Sequence, residues 1–167
     1  VLNRIAVREY RHHLNQLAIH RWNAELEDSC LMQIMRYTEA HAYYVNLLCD
    51  TLWEFELLPN TEDVDKAWQI CVKHEKGRIV DELNNLTHAQ KDILKSIALY
   101  PTDKPTSIKF TKLINRPLST ISQSVKSLLE KDMIYKIEEV DPELEWKSEG
   151  YYWVLDPMVR YMIVSQY

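Results

Sequence analysis

The chain has 167 residues, 46% hydrophobic and 27% charged, with a formal net charge of −5. That suits one large domain or two small ones with a real core. No apolar run approaches the roughly 20 residues of a membrane span, and Val1-Leu2-Asn3-Arg4 lacks the core of a signal peptide, so a cytoplasmic chain with no membrane attachment is expected.

The first half reads as helix almost throughout. Over residues 8–22, Tyr10, Leu14, Leu17, Ile19 and Trp22 recur at roughly helical spacing without Pro or Gly. A second helix is expected over 26–39, with Leu31, Ile34, Met35 and Thr38 on one side, and a third over 41–58, with Tyr44, Leu47, Leu48, Leu52 and Phe55. Pro59-Asn60 stops the third. Thr61 is the expected N-cap of a fourth helix running to about residue 83, and Glu62, Asp63 and Asp65 suit its positive N-terminal end. Gly77 weakens that helix by roughly 1 kcal/mol relative to Ala. Four helices with short connections imply a bundle over residues 1–85, its aromatics serving as core. Cys30, Cys49 and Cys71 are odd in number and lie in helical patterns, which fits reduced, packed thiols. No CxxC pair exists, and no metal is expected.

Residues 86–167 have a different grammar. Thr87-His88-Ala89-Gln90 matches a capping box, opening a helix that turns Ile93, Leu94, Ile97 and Ala98 inward until Pro101. Ser107 opens a second helix with Ile108, Phe110, Leu113 and Ile114 as its apolar set. After Asn115-Arg116-Pro117, Ser119 is the expected cap of a third, with Ile121, Val125, Leu128 and Leu129 inward and Thr120, Gln123, Ser124, Lys126 and Ser127 outward. Alternation over 133–137 and 151–155 supplies two antiparallel strands flanking an acidic loop over 138–150. Three helices followed by a two-stranded ribbon form a winged helix-turn-helix. The fold class is therefore mainly α, a lid-like helical bundle followed by a winged helix.

The charge is unevenly distributed. Residues 1–85 hold nine Lys/Arg against fourteen Asp/Glu, and residues 86–167 hold eleven of each. Lys104, Lys109, Lys112, Arg116, Lys126 and Lys131 face only Glu130 over 104–131, a balance of +5. Seven acids against Lys136 and Lys147 give 132–149 a balance of −5. A phosphate backbone is attracted by the first stretch and repelled by the second. Lys109, Lys112, Arg116 and Lys126 are candidate phosphate contacts, with Ser119 and Thr120 as hydroxyl donors and Gln123 as the best base reader, since its amide pairs bidentately with adenine. The acidic loop reads either as a solvated tip or as a docking surface for a basic partner.

Two motifs add a family resemblance. The ending Leu155-Asp156-Pro157-Met158-Val159-Arg160-Tyr161 is similar to the close of winged helices in archaeal-type P-loop ATPases of the STAND group. Upstream, Thr38-Glu39-Ala40-His41-Ala42-Tyr43-Tyr44, followed by Leu48-Cys49, resembles that family's lid segment, commonly Thr-Gly-Gly-His-Pro-Tyr-Tyr. The resemblance implies a C-terminal piece of such an ATPase, with an upstream ATPase domain or another protein as partner. His41 is its candidate nucleotide-sensing residue, placed near the nucleotide or packed beneath the turn. Glu39 and Ala40 occupy the two Gly positions, and Ala42 the Pro position.

Catalysis by this chain in isolation is not expected. Gly77 and Gly150 are its two glycines, so it has no GxxxxGK[ST] phosphate loop. GxSxG and HExxH patterns are also missing, and no cofactor is expected. Two functions follow: DNA binding through the third helix of the winged helix, or protein docking and autoinhibition against an ATPase core or a partner.

Overall fold

A computed structural model describes residues 5–165. In chain order the elements are α1 (Val7–Trp22), α2 (Asp28–Thr38), α3 (Ala42–Leu52), α4 (Thr61–Asn84), α5 (His88–Leu99), α6 (Ile108–Ile114), α7 (Leu118–Glu130), β1 (Ile134–Lys136), β2 (Tyr152–Val154) and α8 (Pro157–Val164). The chain is mainly helical, a bundle followed by a winged helix with a two-stranded wing. It divides into two compact units, one running through Lys76 and including Asp141–Glu145, the other comprising Gly77–Val140 and the chain from Trp146 onward. The seam thus falls inside the continuous helix α4, ahead of its end near residue 85, and the tip of the wing belongs with the helical unit.

In the helical unit the aromatic residues form the core. Trp68 of α4 is fully buried, stacked on Tyr37 at 5.2 Å and met edge-on by Tyr44 at 6.1 Å. Asp65 accepts hydrogen bonds from Gln33 Nε2 at 2.8 Å and Tyr37 Oη at 2.7 Å, tying α4 to α2. On α1 the buried stripe is Val7, Tyr10, Leu14 and Ala18, while Leu17 and Ile19 are exposed. α3 ends at Leu52, short of the expected residue 58. There the chain turns so that Trp22 packs on Trp53 at 4.9 Å and donates from Nε1 to the Phe55 carbonyl at 3.2 Å. α4 is capped by Asn60, not Thr61: Asn60 Oδ1 accepts from Glu62 N at 2.8 Å and Asp63 N at 3.1 Å, leaving Thr61 as the first helical residue. Two backbone donors of the helix N-terminus are satisfied this way.

The wing tip completes this unit. Asp141 Oδ2 accepts from Val7 N at 2.8 Å, Glu143 accepts from Arg11 Nη1 at 2.7 Å, and Leu144 is buried. Arg11 also pairs with Asp28. The reading of the acidic loop as a free tip or docking surface is therefore corrected for Asp141–Glu145, because two of its acids satisfy donors of α1.

In the winged-helix unit α5 is central, packed against α6, α7, α8 and β2. Its capping box forms as expected, Gln90 N donating to Thr87 Oγ1 at 3.3 Å and Thr87 N to Gln90 Oε1 at 2.9 Å. The Gln90 amide then donates to Ser127 Oγ at 2.8 Å, linking α5 to α7. β1 and β2 pair antiparallel with Ile134 opposite Val154 and Lys136 opposite Tyr152. Thr102 adds an antiparallel bridge to Tyr152 on the other edge of β2. α8 has no counterpart among the expected elements. Asp156 Oδ1 caps it, accepting from Met158 N and Val159 N, with Pro157 in its first turn. Burying Met158, Val159 and Met162 holds it in place.

Candidate nucleic-acid interface

The helix-turn-helix is set by local backbone chemistry. Ser107 Oγ accepts from Phe110 N at 3.3 Å and starts α6. Asn115, at φ +53, ends it in the left-handed conformation that Asn tolerates better than most residues. Pro117 is the N-cap of α7, and Ser119 lies inside the first turn and makes no side-chain cap, so the expected cap at Ser119 is corrected.

α7 buries Ile121, Ser124, Val125 and Leu128. Ser124 therefore leaves the outward set, and Ser127 is half-buried against Gln90. Ser119, Ser122, Gln123 and Lys126 are exposed at helical spacing along one face, with Thr120 half-buried at its margin. Lys126 Nζ is 3.8 Å from Glu130, an exposed pair in which water screens most of the attraction. Lys109 and Lys112 are exposed on α6. Arg116 differs from the expected phosphate contact: its Nε donates to Asp92 on α5 at 2.9 Å, so its charge is already compensated.

Beside α7 lies a cleft of about 370 Å³, with Lys104, Thr106, Ser122 and Lys126 at its rim, Tyr152 at one side and Val125 and Leu129 as apolar lining. Asp103 is its one acid. Lys136 Nζ stands 6.0 Å from the Tyr152 ring. Thr106, Ser122 and Tyr152 escaped the sequence reading. Ser122 is legible from its spacing to Ser119 and Lys126, whereas the approach of Tyr152 to α7 depends on strand pairing.

Two of the helix-turn-helix apolar positions expected inside are outside. Ile108 is 74% exposed and Leu113 52%, leaving Phe110 as the buried anchor of α6; Leu118, opening α7, is 54% exposed. A seven-residue helix has a single buried stripe, and Phe110 fills it.

His41 belongs to the helical unit. It is the N-cap residue of α3, half-buried, with its ring 5.4 Å from that of Tyr44. Its backbone N–H donates to Thr38 O at 2.9 Å and its carbonyl accepts from Val45 N at 2.9 Å. The preceding Glu39 and Ala40 are both buried and adopt positive φ of 49° and 55°. Among the described residues no cluster of three His, Cys, Asp or Glu side chains is placed to hold a metal ion, and no helix is long and apolar enough to cross a membrane.

Comparisons with protein-family models, with curated proteins and with solved structures find no match to this chain.

Proposed function

We propose that this chain is a non-catalytic, regulatory binding module whose winged helix engages duplex DNA through α7. The observation that carries this reading is the exposed face Ser119, Ser122, Gln123 and Lys126, continuous with the Lys104, Thr106 and Tyr152 cleft. Hydroxyls and ammonium groups there donate to phosphate oxygens, and Gln123 reads a base edge. Lys104, Lys109, Lys112 and Lys126 are all exposed. If each releases one counterion, log K falls against log salt with a slope of about −3 to −4.

The left-handed backbone at Glu39 and Ala40 supports the further reading that the module is the lid and winged helix of an archaeal-type P-loop ATPase, where glycines occupy those two positions. On that reading the chain neither hydrolyses ATP nor binds it tightly, because no phosphate loop is present. Calorimetric titration with ATP and magnesium tests this, and micromolar binding refutes it.

Fluorescence anisotropy with random and defined duplexes, at low and moderate salt, tests the DNA reading. Lys126→Glu is expected to weaken binding to every sequence, and Gln123→Ala to blunt sequence preference. Salt-insensitive or absent binding by the unaltered chain overturns it. A second reading, protein docking, is favoured by the exposed Ile108, Leu113 and Leu118, since apolar side chains at a nucleic-acid surface gain little from phosphates. It predicts that Leu113→Ser abolishes partner binding while Lys126→Glu leaves it unchanged.

A further inference from the structure

The side of α6 turned away from the core carries two unlike chemistries. Ile108 and Leu113 are apolar and 74% and 52% exposed, while Lys109 and Lys112 are exposed and form no ion pair among the described residues. At about 100° of rotation per residue the four fall within an arc of about 140°, leaving Phe110 to the core. Residues 104–129 hold five Lys and Arg and no Asp or Glu. Water solvates the ammonium groups well, but the apolar side chains gain by leaving it. A partner suited to this face brings apolar atoms and negative charge together.

The helical unit displays such a surface just beyond α3. Leu57 is 82% exposed, more than any other large hydrophobic side chain among the described residues. Glu54 and Glu56 beside it are exposed and also form no ion pair, and residues 50–65 hold six acids and no Lys or Arg. Arg21 reaches this segment but donates to the Trp53 and Phe55 carbonyls, each at 3.4 Å, and not to either carboxylate. Trp22 Nε1 adds a third hydrogen bond, to the Phe55 carbonyl at 3.2 Å. The segment is thus held in place before a partner arrives, and little further ordering opposes docking. Pairing α6 with a copy of itself sets Lys109 and Lys112 against like charges; pairing it with residues 54–57 sets them against carboxylates.

We propose that α6 of one chain docks on residues 54–57 of a second copy, with Leu57 against Ile108 and Leu113 and the two glutamates against Lys109 and Lys112. The contact joins unlike surfaces, so every copy carries both halves of it. It rests on the docking reading, whose exposed Ile108 and Leu113 it uses, and it names the partner.

Sedimentation equilibrium of the full chain without DNA, at concentrations up to about 500 µM, reads the association. At low salt Kd is expected below about 500 µM, and at about 0.5 M salt at least about threefold higher, because exposed charges are then screened. Leu57→Ser and Leu113→Ser, at positions too exposed to endanger the fold, are each expected to weaken association by at least about fivefold. Lys109→Glu with Lys112→Glu, or Glu54→Lys with Glu56→Lys, sets like charges across the contact, and each double variant alone is expected to be monomeric. An equimolar mixture of the two restores opposite charges and is expected to associate as the parent chain does. Unchanged association in either serine variant, or a mixture that stays monomeric, overturns the proposal. A monomeric parent chain also overturns it and leaves the docking reading to its own test, the effect of Leu113→Ser on binding of another protein.

Discussion

Arg11 on α1 places Nη1 2.7 Å from Glu143 Oε2, a pairing across 132 residues of sequence that fastens the tip of the wing to the first helix. Beside it, Asp141 accepts the Val7 amide at 2.8 Å, so the segment is held by a backbone contact as well as by charge. Arg11 and Glu143 are both about one-third exposed, and Arg11 is shared with Asp28. The coupling between Arg11 and Glu143 is therefore modest, about 1 kcal/mol or less. A double-mutant cycle of Arg11→Ala and Glu143→Gln in urea denaturation measures it. A coupling well above about 1 kcal/mol contradicts this. In the same variants a glutamate-specific protease is expected to cut the 138–149 segment faster than in the parent chain.

Ala40 carries φ +55 while buried, and its Cβ makes that conformation unfavourable by about 1 kcal/mol relative to Gly. Ala40→Gly is expected to raise stability by about 0.5 to 1 kcal/mol. A loss of stability in thermal or urea unfolding indicates that the methyl group's packing outweighs the strain.

Gly77 gives the opposite case. It lies within α4 at the seam between the two units, and a Cβ built there meets nothing within 4 Å. Gly77→Ala is expected to stabilise the helix by about 0.5 to 1 kcal/mol, through a smaller loss of backbone entropy. A lower urea midpoint contradicts this.

All three cysteines are buried and free. Burial pushes the Cys49 thiol up to about 12 and the Cys30 thiol up to about 11, and Cys71 is also raised, chiefly by burial. At pH 8 they are thiols, and the native chain is expected to react negligibly with Ellman's reagent until it unfolds. The folded state holds these protons more tightly than the unfolded chain does. Their contribution to stability is complete below the ordinary value of 9.0 and is lost as pH rises through the folded values of about 11 and 12. Urea midpoints from pH 8 to 11 are expected to fall, and the fall is expected to shrink in Cys49→Ala relative to that variant's own value at pH 8.

The buried Tyr10 hydroxyl predicts a gain on its removal. Tyr10→Phe is expected to raise the melting temperature, by an amount corresponding to about 1 kcal/mol, since no protein hydrogen bond is lost with the oxygen. A drop in stability refutes the unpartnered state.

Local chemistry along the chain determined much of the fold. Thr87 and Gln90 form a capping box because both partners lie three residues apart, and Ile121, Val125 and Leu128 face inward because helical spacing puts them on one face. The same spacing identified Gln123 and Lys126 as outward positions. Other features depend on partners remote in sequence. The Arg116 guanidinium is claimed by Asp92, and Glu143 by Arg11, although either group read alone is a solvated charge. Ile108 and Leu113 are apolar, yet α6 is too short to bury more than the stripe around Phe110. α8 carried a local signal in Asp156-Pro157, a side-chain cap followed by a residue suited to the first turn, but its place was decided by burial of Met158, Val159 and Met162. Period and capping act over a few residues and can be read along the chain, whereas ion pairing, burial and cavity shape depend on distances that tertiary packing alone decides.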